Sequence, residues 1–187
     1  MASIFLWRND VAAAKLDLPY RPVDWMSYNN WLNDLGRDST RVLFAIRKLV
    51  EPQIIGFALL SGIHPVHRSA ELGIRIGHEQ DRGNGYGKEA TMLMLDFAWK
   101  SLNLNRVQLE VFANNERAIR TYRSVGFEHE GTRRRAAFID GEWIDVAFMG
   151  ALRPSAEDIR AIPSTPSGEN VVNWAEQVRP ATRIAAN

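Results

Sequence analysis

Cysteine is absent from the 187 residues. That one absence excludes disulfide scaffolds, thiolate metal sites and a cysteine nucleophile. Histidine is scarce: His64, His67, His78 and His129 are the only four. No pair has the H-x-x-x-H spacing that sets two imidazoles on one helix face, so no metal is expected. Long apolar runs are missing as well. The longest, residues 54–60, is far short of the roughly 20 residues that a bilayer span requires. The first ten residues lack a basic leader followed by an apolar stretch. No membrane partner is expected, and the expected compartment is the cytoplasm. Neither charge is in excess: 23 Lys and Arg stand against 22 Asp and Glu. The balance holds locally, with 9 against 8 in residues 1–80, 10 against 10 in 81–152 and 4 against 4 in 153–187. Non-specific binding to a phosphate backbone needs a basic excess, so no nucleic-acid partner is expected.

What is present is an ordinary globular composition, 45% hydrophobic and 24% charged. The length suits one domain with a tail. Residues 9–36 read as helical, with Asn9 or Asp10 capping a first short helix and Pro22 opening a second. In the second, Trp25, Tyr28, Trp31, Leu32 and Leu35 recur at helical steps until Gly36. They read as a helix face on a sheet rather than a substrate platform. From Thr40 the period becomes that of strands: residues 42–47, 53–63 and 70–77, close enough in sequence for an antiparallel meander. A helix stripe follows through Tyr86, Ala90, Leu93, Met94, Phe97 and Ala98. Next come a strand over 106–113 and a short helix capped at Asn114–Asn115 and ended by Gly126. Two last strands flank Asp140–Gly141, a strong hairpin signal. The domain is expected over 1–152. Residues 153–187, rich in Pro and Ser, read as a partly irregular tail.

Residues 78–87 are the unusual stretch, polar and carrying Gly83, Gly85 and Gly87 between a strand and a helix. A helix N-terminus offers unpaired N–H groups and partial positive charge, and glycine lets a ligand approach the backbone. Such a stretch is either a phosphate cradle or a glycine-rich turn with no ligand. Two nucleotide motifs fail on spacing. Only three residues separate Gly83 from Gly87–Lys88, and Glu89 stands where a Walker loop needs a hydroxyl. Gly83-Asn84-Gly85-Tyr86-Gly87 is G-x-G-x-G, not the dinucleotide fingerprint.

Arg82-x-x-Gly85-x-Gly87 does resemble the pyrophosphate-binding motif of the GNAT superfamily of acyl-CoA-dependent N-acetyltransferases. The segment from Val111 through Asn115, Ala118 and Tyr122 to Gly126–Phe127 is similar to a second family signature. Residues 131–149, with Asp140–Gly141 and Asp145, are similar to the closing hairpin of bacterial members. Those include ribosomal-protein N-terminal acetyltransferases and diamine or spermidine acetyltransferases. Trp7-Arg8-Asn9-Asp10 resembles the start of their first helix. The resemblance implies an α/β (α+β) fold: a splayed, mixed, mostly antiparallel sheet flanked by helices. Members carry a further strand before that W-R-N-D segment, for which this sequence has no room. The outer strand is then absent, replaced by the tail, or supplied by a neighbouring chain, and an open edge invites pairing as a homodimer.

The resemblance also implies the site. Strands 70–77 and 106–113 diverge, and the pantetheine arm of acetyl-CoA lies between them, bonding backbone near Ile74, Arg75 and Ile76 as an added strand would. Its pyrophosphate meets N–H groups of Arg82, Gly83, Asn84, Gly85, Tyr86 and Gly87. Asn115 both caps its helix and serves the pantetheine. Tyr122 donates a proton to the departing thiolate; taken alone, it would read as a core aromatic. Deprotonating a lysine- or polyamine-type ammonium of pKa 10.4 at pH 7 costs roughly 4.6 kcal/mol, against about 1.4 for an α-amine near 8. A primary alkylamine therefore gains most from a base. Glu71 is the first candidate, the alternative being a structural carboxylate paired with Arg75; Glu110 is the second, acting through water. Arg133–Arg134–Arg135 alternate along a strand and read as a solvated face or a contact for an acidic substrate.

The expected reaction is direct transfer of acetyl from acetyl-CoA to an amine. The first acceptor is a protein or peptide α-amine, the second a polyamine, amino sugar or other small amine. An acidic pocket at Glu71 would favour the polyamine. A non-catalytic acyl-CoA-binding module is the alternative of another class, and Tyr122 counts against it.

Overall fold

A computed structural model describes residues 2–10, 22–49 and 53–155. The chain divides into two units, residues 1–153 and 154–187. Only Pro154 and Ser155 of the second are described, so the expected linker and weak helix beyond them lie outside the described residues.

The first described helix, α1, is Ala2–Arg8 and the second, α2, is Trp25–Leu35. α1 precedes the stretch read as helical, and α2 starts at a different cap from the one read in the sequence. Asn9 follows α1, its N–H bonding back to the Phe5 and Leu6 carbonyls. Its side chain accepts from the Val23 N–H at 2.9 Å and donates to the Val23 carbonyl at 3.0 Å. A capping amide has thus been spent on clasping two distant segments. The helix expected after Asp10 falls within residues 11–21, outside those described. The start of α2 is set by Asp24, not Pro22: its carboxylate accepts from the Ser27 N–H and hydroxyl, which also holds it below the usual carboxylate range. Gly36 ends the helix as read.

Six strands form one sheet in the order β1-β2-β3-β4-β6-β5. They are β1 Val42–Arg47, β2 Ile54–His64, β3 Ser69–Ile76, β4 Arg106–Phe112, β5 Glu128–Ile139 and β6 Glu142–Leu152. Every neighbouring pair is antiparallel except β3 with β4. Asp140 and Gly141 both take positive φ in the two-residue turn between β5 and β6, the geometry that matches strand twist in a hairpin.

The sheet has a core on each face. On one, Leu60, Leu72, Val107, Leu109 and Met149 meet Met94, Leu95 and Ala98 of helix α3, Tyr86–Lys100, together with helix α4, Glu116–Arg123. On the other, Ile4 and Trp7 of α1 and Tyr28 of α2 pack over Phe57 of β2. Each fully buried Leu or Met contributes roughly 1.5–3 kcal/mol. The stripe of α3 is rotated from the one read in the sequence: Leu93 is exposed, while Thr91 and Leu95 are buried. Thr91 tolerates burial because its hydroxyl bonds the Gly87 carbonyl at 2.7 Å. Trp25 also stands half out of the aromatic face assigned to it.

Gly77, where β3 leaves the sheet, lies directly beneath the buried Trp7 indole, and a Cβ there would fall inside the ring. A Cβ on Gly73, two turns of the pleat earlier, would meet nothing within 4 Å. Gly77→Ala should therefore cost about 1–3 kcal/mol in urea unfolding, whereas Gly73→Ala should leave stability within about 0.5 kcal/mol.

Candidate active site

The site begins where the sheet comes apart. β3 and β4 pair only at Ser69–Arg106, Ala70–Val107 and Glu71–Gln108. Beyond that β3 stays with β2 to Ile76, and β4 stays with β6 to Phe112. A wedge-shaped split therefore opens between residues 72–76 and 109–112. Its walls follow from strand alternation. The Gly77 N–H donates to Ile55 of β2, so Arg75 and Gly73 also turn their backbone groups toward β2, and Leu72, Ile74 and Ile76 turn theirs toward the split. Of the three residues expected to bond an added chain, Ile74 and Ile76 face the opening. Arg75 does not, because its amide and carbonyl belong to the β2 ladder.

At the wide end, the Arg82 guanidinium donates to the Ile76 and Gly77 carbonyls at 3.2 and 2.7 Å. Arg82 thus fixes where the strand stops and the loop begins. Beneath the loop the buried Asp81 carboxylate pairs with Lys48 Nζ at 3.0 Å, and that ammonium lies 6.0 Å from the Tyr86 ring. Nothing in the sequence marked Lys48, which directly follows β1. Gly83 and Gly85 both take φ near +85°, and open space surrounds the position of a Cβ on either. Asn84 ties the turn with a bond to the Gln80 carbonyl. Gly85 is the N-cap of α3 and supplies no side-chain acceptor. The first helical bond from the loop is Glu89 N–H to the Gly85 carbonyl, leaving the amides of Tyr86, Gly87 and Lys88 directed out of the helix end. Uncapped amides, a helix dipole and absent side-chain bulk make a fitting cradle for a pyrophosphate.

The two residues read as catalytic lie on opposite faces of the sheet. Tyr122 projects from α4 into the core shared with α3, beside Phe127 at 5.7 Å between ring centroids. Burial pushes its phenol up to about 12. Asn115 caps α4 as expected, its Oδ1 accepting from the Ala118 N–H at 3.1 Å. Glu71 stands on the other face, in the last β3–β4 pair. Its carboxyl is raised above the ordinary value by desolvation, then by the nearby Glu110 charge, with Arg133 pulling the other way. These partners replace the one read in the sequence: Arg75 is four residues along the same strand, about 13 Å away, whereas Glu110 and Arg133 come from neighbouring strands. Arg133 is ion-paired with Glu110, and its guanidinium lies 4.5 Å from the Phe148 ring centroid.

The three arginines do not alternate regularly. A register shift falls between Arg133 and Ala137, Arg135 takes a φ of +51°, and its N–H bonds Asp145 Oδ1 at 2.8 Å. The bulge leaves all three exposed. His64 and His67 are exposed and stacked in their turn. Among the described residues no group of three or more His, Asp and Glu is arranged to hold a metal ion, and no described helix is long and apolar enough to cross a membrane.

Comparison with known proteins agrees with this architecture. The chain is 31% identical over 137 residues to a spermidine N(1)-acetyltransferase of Vibrio cholerae, covering 72% of this chain and 76% of that one. A putative ribosomal N-acetyltransferase of Bacillus subtilis is 28% identical over 105 residues, covering 56% and 57%. The crystal structure of spermidine N-acetyltransferase from Vibrio cholerae in complex with CoA and spermine has a TM-score of 0.73 at 27% identity, covering 80% of this chain and 87% of that one. Residues 1–128 match the acetyltransferase (GNAT) domain family. Split sheet, glycine cradle and these likenesses coincide over the same residues, and the chain belongs to the GNAT acetyltransferase family.

Proposed function

We propose that this N-acetyltransferase transfers the acetyl group of acetyl-CoA to a primary amine of a di- or polyamine, with residues 1–152 as the catalytic domain. The observation that carries the acceptor class is the carboxylate pair Glu71 and Glu110 on adjacent strands, one desolvated and raised by the other. Two carboxylates beside the split suit a substrate with more than one ammonium. The spermidine acetyltransferases among its relatives support the same class. A protein or peptide α-amine, the first acceptor expected from the sequence, has weaker support in the ribosomal-type relative alone.

Acetyl-CoA would lie with its pyrophosphate on the amides of Gly83 to Gly87 and its pantetheine arm along Ile74 and Ile76, near Asn115. The amine approaches from the Glu71 face. Glu71 takes the ammonium proton, the freed lone pair attacks the thioester carbonyl, and the carbon–sulfur bond breaks. Tyr122 serves the sulfur from the opposite face. Full proton donation from a phenol at about 12 to an alkyl thiolate of pKa about 8.5 is uphill by roughly 5 kcal/mol. Tyr122 therefore acts as a hydrogen-bond donor to the developing negative charge, and the thiol's proton comes from the attacking nitrogen.

Incubation with acetyl-CoA and an amine panel, read by mass spectrometry, should yield acetylated spermidine in preference to acetylated peptide N-termini; the reverse order would overturn the acceptor assignment. Tyr122→Phe should lower kcat about a hundredfold with acetyl-CoA binding within a few-fold of wild type, and an unchanged kcat would remove the tyrosine from the mechanism. The Glu71 carboxyl must be ionised to act, so activity should fall as pH drops through a midpoint above its ordinary 4.5. Removing the Glu110 charge lowers that pKa, so Glu110→Gln should move the Glu71 carboxyl resonance midpoint to lower pH in an NMR titration.

A further inference from the structure

Arg133 holds a position that the chemistry of the site would otherwise offer to a substrate cation. On one face of the sheet, β3, β4, β6 and β5 carry Glu71, Glu110, Phe148 and Arg133: Glu110 stands directly opposite Phe148, Glu71 pairs with Gln108 two residues before Glu110, and Arg133 lies two residues beyond Gly131, the partner of Phe148. The Arg133 guanidinium crosses β6 with its carbon 4.5 Å from the Phe148 ring centroid and ends on Glu110 Oε2. An aromatic face together with a carboxylate is a cation-binding environment. Here a side chain of the same molecule supplies the cation. The side chains of Arg133 and Glu110 are 54% and 30% exposed, so water competes for the pair and the guanidinium is readily exchanged.

We infer that Arg133 is a displaceable resident counter-ion: the second ammonium of a polyamine takes its place on Glu110 and Phe148 while the first ammonium faces Glu71. This rests on the polyamine reading above and adds a selectivity-determining residue to it. A monoamine has no second charge to spend on the exchange, so Arg133 affects its binding little. An amine with two charges must expel the guanidinium, and its affinity reports the cost of doing so. No covalent step is involved; one cation replaces another, and the guanidinium moves into water.

The test is calorimetric binding of spermidine and of n-butylamine to the full chain, with Arg133→Gln and Arg133→Lys beside wild type. Arg133→Gln should bind spermidine about five- to tenfold more tightly, with n-butylamine changed less than twofold. Arg133→Lys should restore wild-type spermidine affinity, because the competing charge returns. An unchanged or weakened spermidine affinity in Arg133→Gln overturns the inference, as does equal tightening toward both amines. Product analysis of wild type separates this from the proposed function. If spermidine is not acetylated but the selective tightening appears, the acceptor assignment falls and the counter-ion role stands. If spermidine is acetylated without the tightening, the counter-ion role falls alone.

Discussion

Parallel strands β3 and β4 hold together for three residue pairs and then separate. A sheet that loses a ladder must find partners for the backbone groups left on each side, since buried unpaired N–H and C=O groups are costly. Each strand keeps its outer neighbour, β2 for β3 and β6 for β4. Only alternate residues along the split are therefore exposed to it. The opening stays rigid because both walls remain strands in continuous antiparallel ladders, and each face of the sheet is weighted by its own core. A rigid slot with alternate open backbone groups can receive an extended chain without reorganising, which limits the cost of ordering on binding.

Position along that slot determines chemistry. The wide end meets the start of α3, where the loop from Gly83 to Gly85 leaves helix amides bare and Arg82 and Lys48 fix the turn from beneath. The narrow end meets Glu71, whose carboxyl is raised by its surroundings. Tyr122 is reached from the opposite face. Glu71 and Tyr122 thus stand in different layers of the molecule, and the slot is where the layers meet. Membership of the GNAT family accounts for the frame.

Much of the frame was legible in the sequence because it rests on local signals. Alternation gave β1 to β4 to within a residue or two, and Asp140–Gly141 placed the last hairpin. Gly83, Gly85 and Gly87 marked the irregular stretch between strand and helix, where Gly83 and Gly85 take positive φ. What escaped were interactions between residues distant in sequence. Asn9 reads as a helix cap, yet its amide finds Val23. Glu71 reads as a neighbour of Arg75, but strand spacing separates them and sheet order brings Glu110 and Arg133 instead. Lys48 gave no signal, since its partner Asp81 is 33 residues on and the pairing exists only once β1 to β3 have folded. The arginine run concealed a bulge, because alternation assumes a register that one left-handed residue, Arg135, interrupts.

Arg82 carries one further consequence. A guanidinium keeps its proton throughout the range in which proteins stay folded, and here it is anchored on two main-chain carbonyls rather than on an acid that could titrate. That anchor at the mouth of the slot consequently persists in mildly acidic and mildly alkaline surroundings alike. In the proposed mechanism the groups that titrate are instead the acceptor's nitrogen and the carboxyl beside it, so holding the acyl carrier and activating the amine would answer to separate physical variables.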